Sequence, residues 1–173
     1  AYMKGEATAE SLVLRGEAFY REQAIDLALG VRAAAIAPGE RRLSLSDGGA
    51  LGYDHLVLAT GARARPLPIP GTDLRGGHAL RDLPDADRLK AEIARASSAV
   101  IVGAGFIGLE LAAVAAKLGL AVTVLEAAPR VMMRAISEPM SRAFEAKHRS
   151  LGVDLRLGEG VRALIGEAGR VTG

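Results

Sequence analysis

The 173-residue chain has no cysteine and no tryptophan, and aromatic side chains make up only 3% of it. Without cysteine, this sequence holds no disulfide, no CxxC redox pair and no thiolate metal site, which agrees with a reducing compartment. With so few aromatics, the core must be assembled from Ala, Val, Leu and Ile. That composition suits layered α/β architectures, in which both faces of a sheet are covered. A cluster of one charge is also missing. The formal net charge is +2, acids and bases are interspersed, and the basic pI reflects a slight excess of arginine. Such a balance gives little support for nucleic-acid binding. No apolar run approaches a membrane span, and the first residues lack a signal-peptide pattern, so a cytoplasmic protein is the default expectation. His55, His78 and His148 have no metal-site spacing and are read as ordinary residues. No Ser-His-Asp or paired-carboxylate arrangement stands out.

What the chain does have is concentrated in residues 100–126. An apolar run, Ala99–Val102, reads as a buried parallel strand. Gly103, Gly105 and Gly108 follow, with Phe106 and Ile107 between the second and third glycines. The run Ile107–Leu118 is helical in composition and spacing, and Ala121–Leu125 reads as a second strand that ends on the acid Glu126. This is a whole βαβ unit in the pattern of a Rossmann-like dinucleotide-binding fold. Gly103 allows the tight turn, Gly105 lets the backbone approach a pyrophosphate, and Gly108 lets helix and strand pack closely. The helix N-terminus then offers its partial positive charge to the phosphates. Glu126 stands where an acid accepts hydrogen bonds from ribose hydroxyls and repels a 2′-phosphate, which favours NADH over NADPH. The bland alternatives are a glycine-rich turn without a ligand and a solvated strand-end acid. Arg130 and Arg134 either seat the adenosine or cap and screen the site; Arg130 is kept as a cofactor-binding candidate.

Elsewhere the pattern is mixed. Residues 1–16 read as irregular and Glu17–Gln23 as a short helix. Strands are expected at Ile25–Leu29, Val31–Ala37, Arg41–Ser46, Ala50–Tyr53 and His55–Ala59, with Asp47-Gly48-Gly49 as a hairpin turn. Residues 63–77, rich in proline and glycine, read as a linker. A helix is expected over Asp85–Ala96. Another starts after Ser137 as N-cap and ends at Gly152. Strands at Val153–Leu157 and Val161–Ile165 close the chain. A doubly wound nucleotide domain usually has more strands than follow here, so a fragment cut at both ends is expected.

At this point the residues resemble a known family. Tyr53-Asp54-His55-Leu56-Val57-Leu58-Ala59-Thr60-Gly61-Ala62 is similar to the second flavin motif of the FAD-dependent pyridine-nucleotide oxidoreductases, in which an FAD domain is interrupted by an NAD(P)H domain. The order of this motif, a proline-rich linker and Gly103–Glu126 matches that insertion. Leu80-Arg81-Asp82-Leu83 before a helix looks like the family's interdomain connection. Residues 125–133, residues 151–156 and the opening residues 1–5 look most like NADH-dependent ferredoxin, putidaredoxin and rubredoxin reductases.

The resemblance implies a partial FAD-binding domain over 1–80 and an NADH-binding domain over 81–173. It implies FAD and NADH as cofactors, and hydride passing from NADH to flavin. Electrons then leave to a ferredoxin-type or rubredoxin-type protein, with no nucleic acid or membrane involved. Thr60 and Gly61 become flavin-proximal. Phe106 lies at the nicotinamide entrance or packs at the helix start. Glu110 is a catalytic-site acid that pairs with a lysine in related reductases, or else a surface acid. Two departures are expected: the first flavin glycine motif and the last flavin segment are absent from the chain. A fragment of this kind is expected to be inactive by itself and prone to self-association. Two other classes stay open, a disulfide or NAD(P)H-peroxide reductase and a nucleotide-binding module without catalysis.

Overall fold

The computed structural model describes residues 2–172; Ala1 and Gly173, the outer ends of the two expected domains, lie outside the described residues. The chain divides into two compact units, one of residues 10–62 and one of 63–172 with residues 2–9.

The smaller unit opens with helix α1 (Glu17–Glu22). Strands β1 (Ala33–Ala37), β2 (Arg42–Leu45) and β3 (Ala50–Gly52) then form an antiparallel meander in the order β1-β2-β3. The β2–β3 turn forms as its sequence requires: Gly48 is left-handed at φ +88°, and the Gly49 N–H donates to Asp47 Oδ1 at 2.9 Å. Two expected strands are absent. Residues 25–29 and 55–59 lie outside any sheet. Apolar composition alone does not make a strand, because the backbone must also find a ladder partner. Val57 and Leu58 stay largely exposed.

The larger unit carries the dinucleotide pattern. Helix α2 (Leu83–Ile93) starts two residues before its expected position. Its start is set by a capping box, in which Asp82 Oδ1 accepts from the Asp85 N–H and Asp85 Oδ2 accepts from the Asp82 N–H. Strands β4 (Ser98–Val102), β5 (Ala121–Glu126) and β6 (Asp154–Leu157) form a parallel sheet in the order β4-β5-β6. Helices α3 (Phe106–Lys117) and α4 (Glu138–Ser150) make the two crossovers. Ile101, Val124 and Leu155 share one register row and are all buried. Against that face α3 sets Leu109, Ala112 and Ala115, the two alanines fully buried. Small side chains there allow the helix to lie close to the strands, and the apolar area removed from water contributes roughly 0.8 kcal/mol per buried methylene.

The expected strand at 161–165 is irregular. Pairing begins only at β7 (Gly166–Glu167) with β8 (Arg170–Val171). The reason is the turn: Ala168 and Gly169 are both left-handed, at φ +49° and +74°, which makes a two-residue hairpin of the twist-compatible type. The expected linker is tied down in part, since the Leu164 N–H donates to the Pro70 carbonyl and the Arg75 N–H to the Gly169 carbonyl. Among the described residues, no helix is long and apolar enough to cross a membrane, and no cluster of His, Cys, Asp or Glu has the geometry to hold a metal ion. His148 is a buried core residue, its Nε2 3.0 Å from the Leu109 carbonyl and its Nδ1 2.8 Å from the Phe144 carbonyl.

Candidate functional site

The site grows from the end of β4. Gly103 turns the chain at φ +102°, a conformation open to glycine, and its N–H donates to the Leu125 carbonyl at 2.8 Å. Gly105 is the N-cap of α3 and is extended, with no side chain capping the helix. No side chain therefore claims the first-turn N–H groups of α3, and the positive end of the helix dipole is left for a ligand. The glycines differ in what they exclude. A Cβ at Gly108 would stand 2.1 Å from the Gly103 carbonyl oxygen, so any side chain there forces the backbone to give way. A Cβ at Gly105 would meet nothing within 4 Å, so the protein itself leaves that space open.

Glu126, at the end of β5, closes the other side. Its Oε2 accepts from the Ala104 N–H at 2.7 Å and its Oε1 from the Ala128 N–H at 2.8 Å. The carboxylate is thereby fixed against the glycine loop, and each oxygen keeps lone-pair capacity for a further donor. The peptides of Ala104 also join the loop that follows β5, since its carbonyl accepts from the Met132 N–H at 3.0 Å. Residues 104–106, 126–128 and 132–135 together line a cleft of about 560 Å³. An uncapped helix N-terminus, a space kept free of side chains and an oriented carboxylate fit the pyrophosphate and ribose of a dinucleotide.

The two arginines part company. Arg130 is turned into its own loop, where Nη1 donates to the Ile136 carbonyl at 2.9 Å and to Ser141 Oγ at 2.6 Å, and Nη2 to the Met133 carbonyl at 2.8 Å. It does not line the cleft, whereas Arg134 does. Phe106 lines the cleft and is 56% exposed, and Ile107 beside it is equally so. Glu110 is exposed one turn further along α3. Thr60 and Gly61 lie in exposed irregular chain of the smaller unit, with Gly61 left-handed at φ +71°. The parts played by Ala104 and Ser141 carry no sequence signal. Any residue has a backbone N–H, and the Arg130–Ser141 pairing spans a loop.

A family model described as pyridine nucleotide-disulphide oxidoreductase matches residues 2–173. The chain belongs to that family. It is 45% identical over 173 residues to rhodocoxin reductase of Rhodococcus erythropolis, covering 100% of this chain and 40% of that protein. Among solved structures, it superposes on the ferredoxin reductase for the CYP199A2 system from Rhodopseudomonas palustris with a TM-score of 0.93 and 40% identity, over 99% of this chain and 42% of that one. An engineered water-forming NADPH oxidase bound to NADPH gives a TM-score of 0.84 and 25% identity, over 96% of this chain and 38% of that one. That enzyme is a five-residue mutant of a water-forming NADH oxidase from Lactobacillus brevis. The chain thus spans about two fifths of the length of the proteins it matches.

Proposed function

We propose that this chain supplies the NADH site, and part of the FAD site, of an FAD-dependent NADH:ferredoxin or rubredoxin oxidoreductase. The observation that carries this reading is the Glu126 carboxylate, held on the Ala104 N–H beside the uncapped start of α3. The names of the similar proteins, a rhodocoxin reductase and a ferredoxin reductase, support an iron–sulfur protein as the electron acceptor. On this reading residues 1–80 belong to the FAD-binding domain and 81–173 to the NADH-binding domain. Gly103, Gly105 and Gly108 give the pyrophosphate its approach, with Ile107 in the first turn of α3, and Glu126 accepts from the adenosine ribose. Arg130 acts through the loop it braces, not by touching the nucleotide. Thr60 and Gly61 approach the flavin, and Glu110 lies on the flavin side of α3. NADH and FAD supply the hydride and electron-transfer chemistry when bound; the protein holds and orients them. A cytoplasmic setting suits a chain without cysteine, and the open edges of the β1–β3 meander favour self-association of the isolated chain.

The five changes that produced the NADPH oxidase remove a glycine, an aspartate, an alanine, a methionine and a proline, and introduce two arginines. They are spaced along that chain as Gly108, Glu126, Ala127, Ala128 and Met133 are here. The acid given up there is therefore matched by Glu126, which supports its part in nucleotide choice.

Titration calorimetry on Glu126→Ala tests the reading. A hydrogen bond to a charged group contributes about 1.5–3 kcal/mol, so NADH binding is expected to weaken by roughly tenfold or more, with NADPH hurt less. Equal loss for both nucleotides would confine Glu126 to holding the loops. A second expectation concerns the full-length enzyme. Phe106→Ala there should change the rate of flavin reduction by NADH more than it changes ADP-ribose affinity, because Phe106 stands on the cleft rim and no pyrophosphate contact depends on its ring. Unchanged flavin reduction in stopped flow would leave Phe106 with a packing role.

A further inference from the structure

The cleft that Glu126 guards has a second charged group. Among the residues that line it, Arg134 is the only base, and its guanidinium makes no hydrogen bond or ion pair with any described residue. An exposed arginine alone says little, but the segment carrying this one is braced. Arg130 donates to the carbonyls of Met133 and Ile136, on either side of Arg134, and to Ser141 Oγ. Ser141 is fully buried, and its Oγ donates to the Val131 carbonyl at 2.7 Å. Met132 is held left-handed at φ +48°, a conformation unfavourable for a side chain of that size, and its N–H donates to Ala104. The Ala104 N–H in turn donates to Glu126. The backbone that presents Arg134 and the carboxylate of Glu126 are thus both fastened to one residue.

The two charges oppose each other toward one substituent. A carboxylate at the ribose repels a 2′-phosphate, whereas a guanidinium fork matches a phosphate in shape and charge. In the NADPH-binding relative, the position spaced as Met133 received an arginine. Here an arginine already stands on the next residue.

We propose that Arg134 is a latent 2′-phosphate anchor. Glu126 alone holds the cleft to NADH, and loss of that one charge turns the cleft toward NADPH with no arginine added. This rests on the cleft being the dinucleotide site.

The test is calorimetric titration of the chain with NADH and with NADPH in four forms: unaltered, Glu126→Gln, Arg134→Ala and the double variant. Glutamine keeps the side-chain shape but only one acceptor oxygen, so it can hold one of the two N–H groups that Glu126 ties, that of Ala104 or that of Ala128, and loses the other; Glu126→Ala, which loses both, serves as a second version. The unaltered chain should prefer NADH. Glu126→Gln should shift the NADPH-to-NADH affinity ratio toward NADPH by at least tenfold. Adding Arg134→Ala should undo that shift by tenfold or more, acting on NADPH more than on NADH. The anchor is overturned if the double variant binds NADPH as well as Glu126→Gln does, or if no shift follows the loss of Glu126 in either version. Failure of the unaltered chain to bind either nucleotide would instead overturn the dinucleotide reading, and the anchor with it.

Discussion

Gly105→Val is expected to abolish NADH binding while leaving the far-UV circular dichroism spectrum and the melting temperature near those of the unaltered chain. A Cβ at Gly105 meets no protein atom within 4 Å, and the backbone there is extended, which valine adopts without strain. Nothing in the protein therefore objects to the side chain. The space it fills is the approach to the uncapped N-terminus of α3, where the phosphates need direct contact with backbone N–H groups. A branched side chain there separates the two, and a loss of at least about a hundredfold in affinity is expected, about 2.7 kcal/mol. Retained NADH affinity in titration calorimetry would show that this loop is not a phosphate cradle.

Gly108→Val should do the reverse and strike stability first. Its Cβ would lie 2.1 Å from the Gly103 carbonyl oxygen and 3.4 Å from Ile101 Cγ2. Neither is the movable end of a long side chain, so α3 must shift away from β4. Overpacking of this kind costs about 1–3 kcal/mol, and a β-branched residue adds a small helix penalty. For a chain of this size that corresponds to a melting temperature lower by roughly 2–12 °C. The engineered oxidase carries alanine at the matching spacing, so that relative tolerates one methyl group there. The two further methyl groups of valine are what should exceed that tolerance. A melting temperature unchanged by Gly108→Val would mean that α3 does not rest on the glycine turn. Together the two valine variants separate a glycine kept for the ligand from a glycine kept for packing.

The glycine pattern was readable because it is local. The strand, the turn, the helix and the acid of Val100–Glu126 lie within one βαβ unit, and each is marked by composition or spacing. The hairpin at Asp47-Gly48-Gly49 was readable for the same reason. The strands expected at 25–29, 55–59 and 161–165 failed where the decision was not local. Each has the apolar composition of a strand, yet a strand exists only when a second stretch of backbone pairs with it. The true hairpin at 166–171 turns on Ala168-Gly169, a pair with a weaker turn signature than an Asn-Gly turn.

Sequence alone determined the fold class, the family resemblance, the three glycines and the acid at the end of β5. These follow from backbone sterics and from periodicity, which act between near neighbours. Only the tertiary structure decided what the side chains around that acid do. It turned Arg130 into its loop toward Ser141 and left Arg134 on the cleft. It also made Ala104 the joint between Glu126 and Met132. Two arginines four residues apart are chemically identical in the sequence. Which one lines the cleft depends on which finds carbonyls to bond within the loop, and those acceptors are positioned by packing on α4 and the sheet.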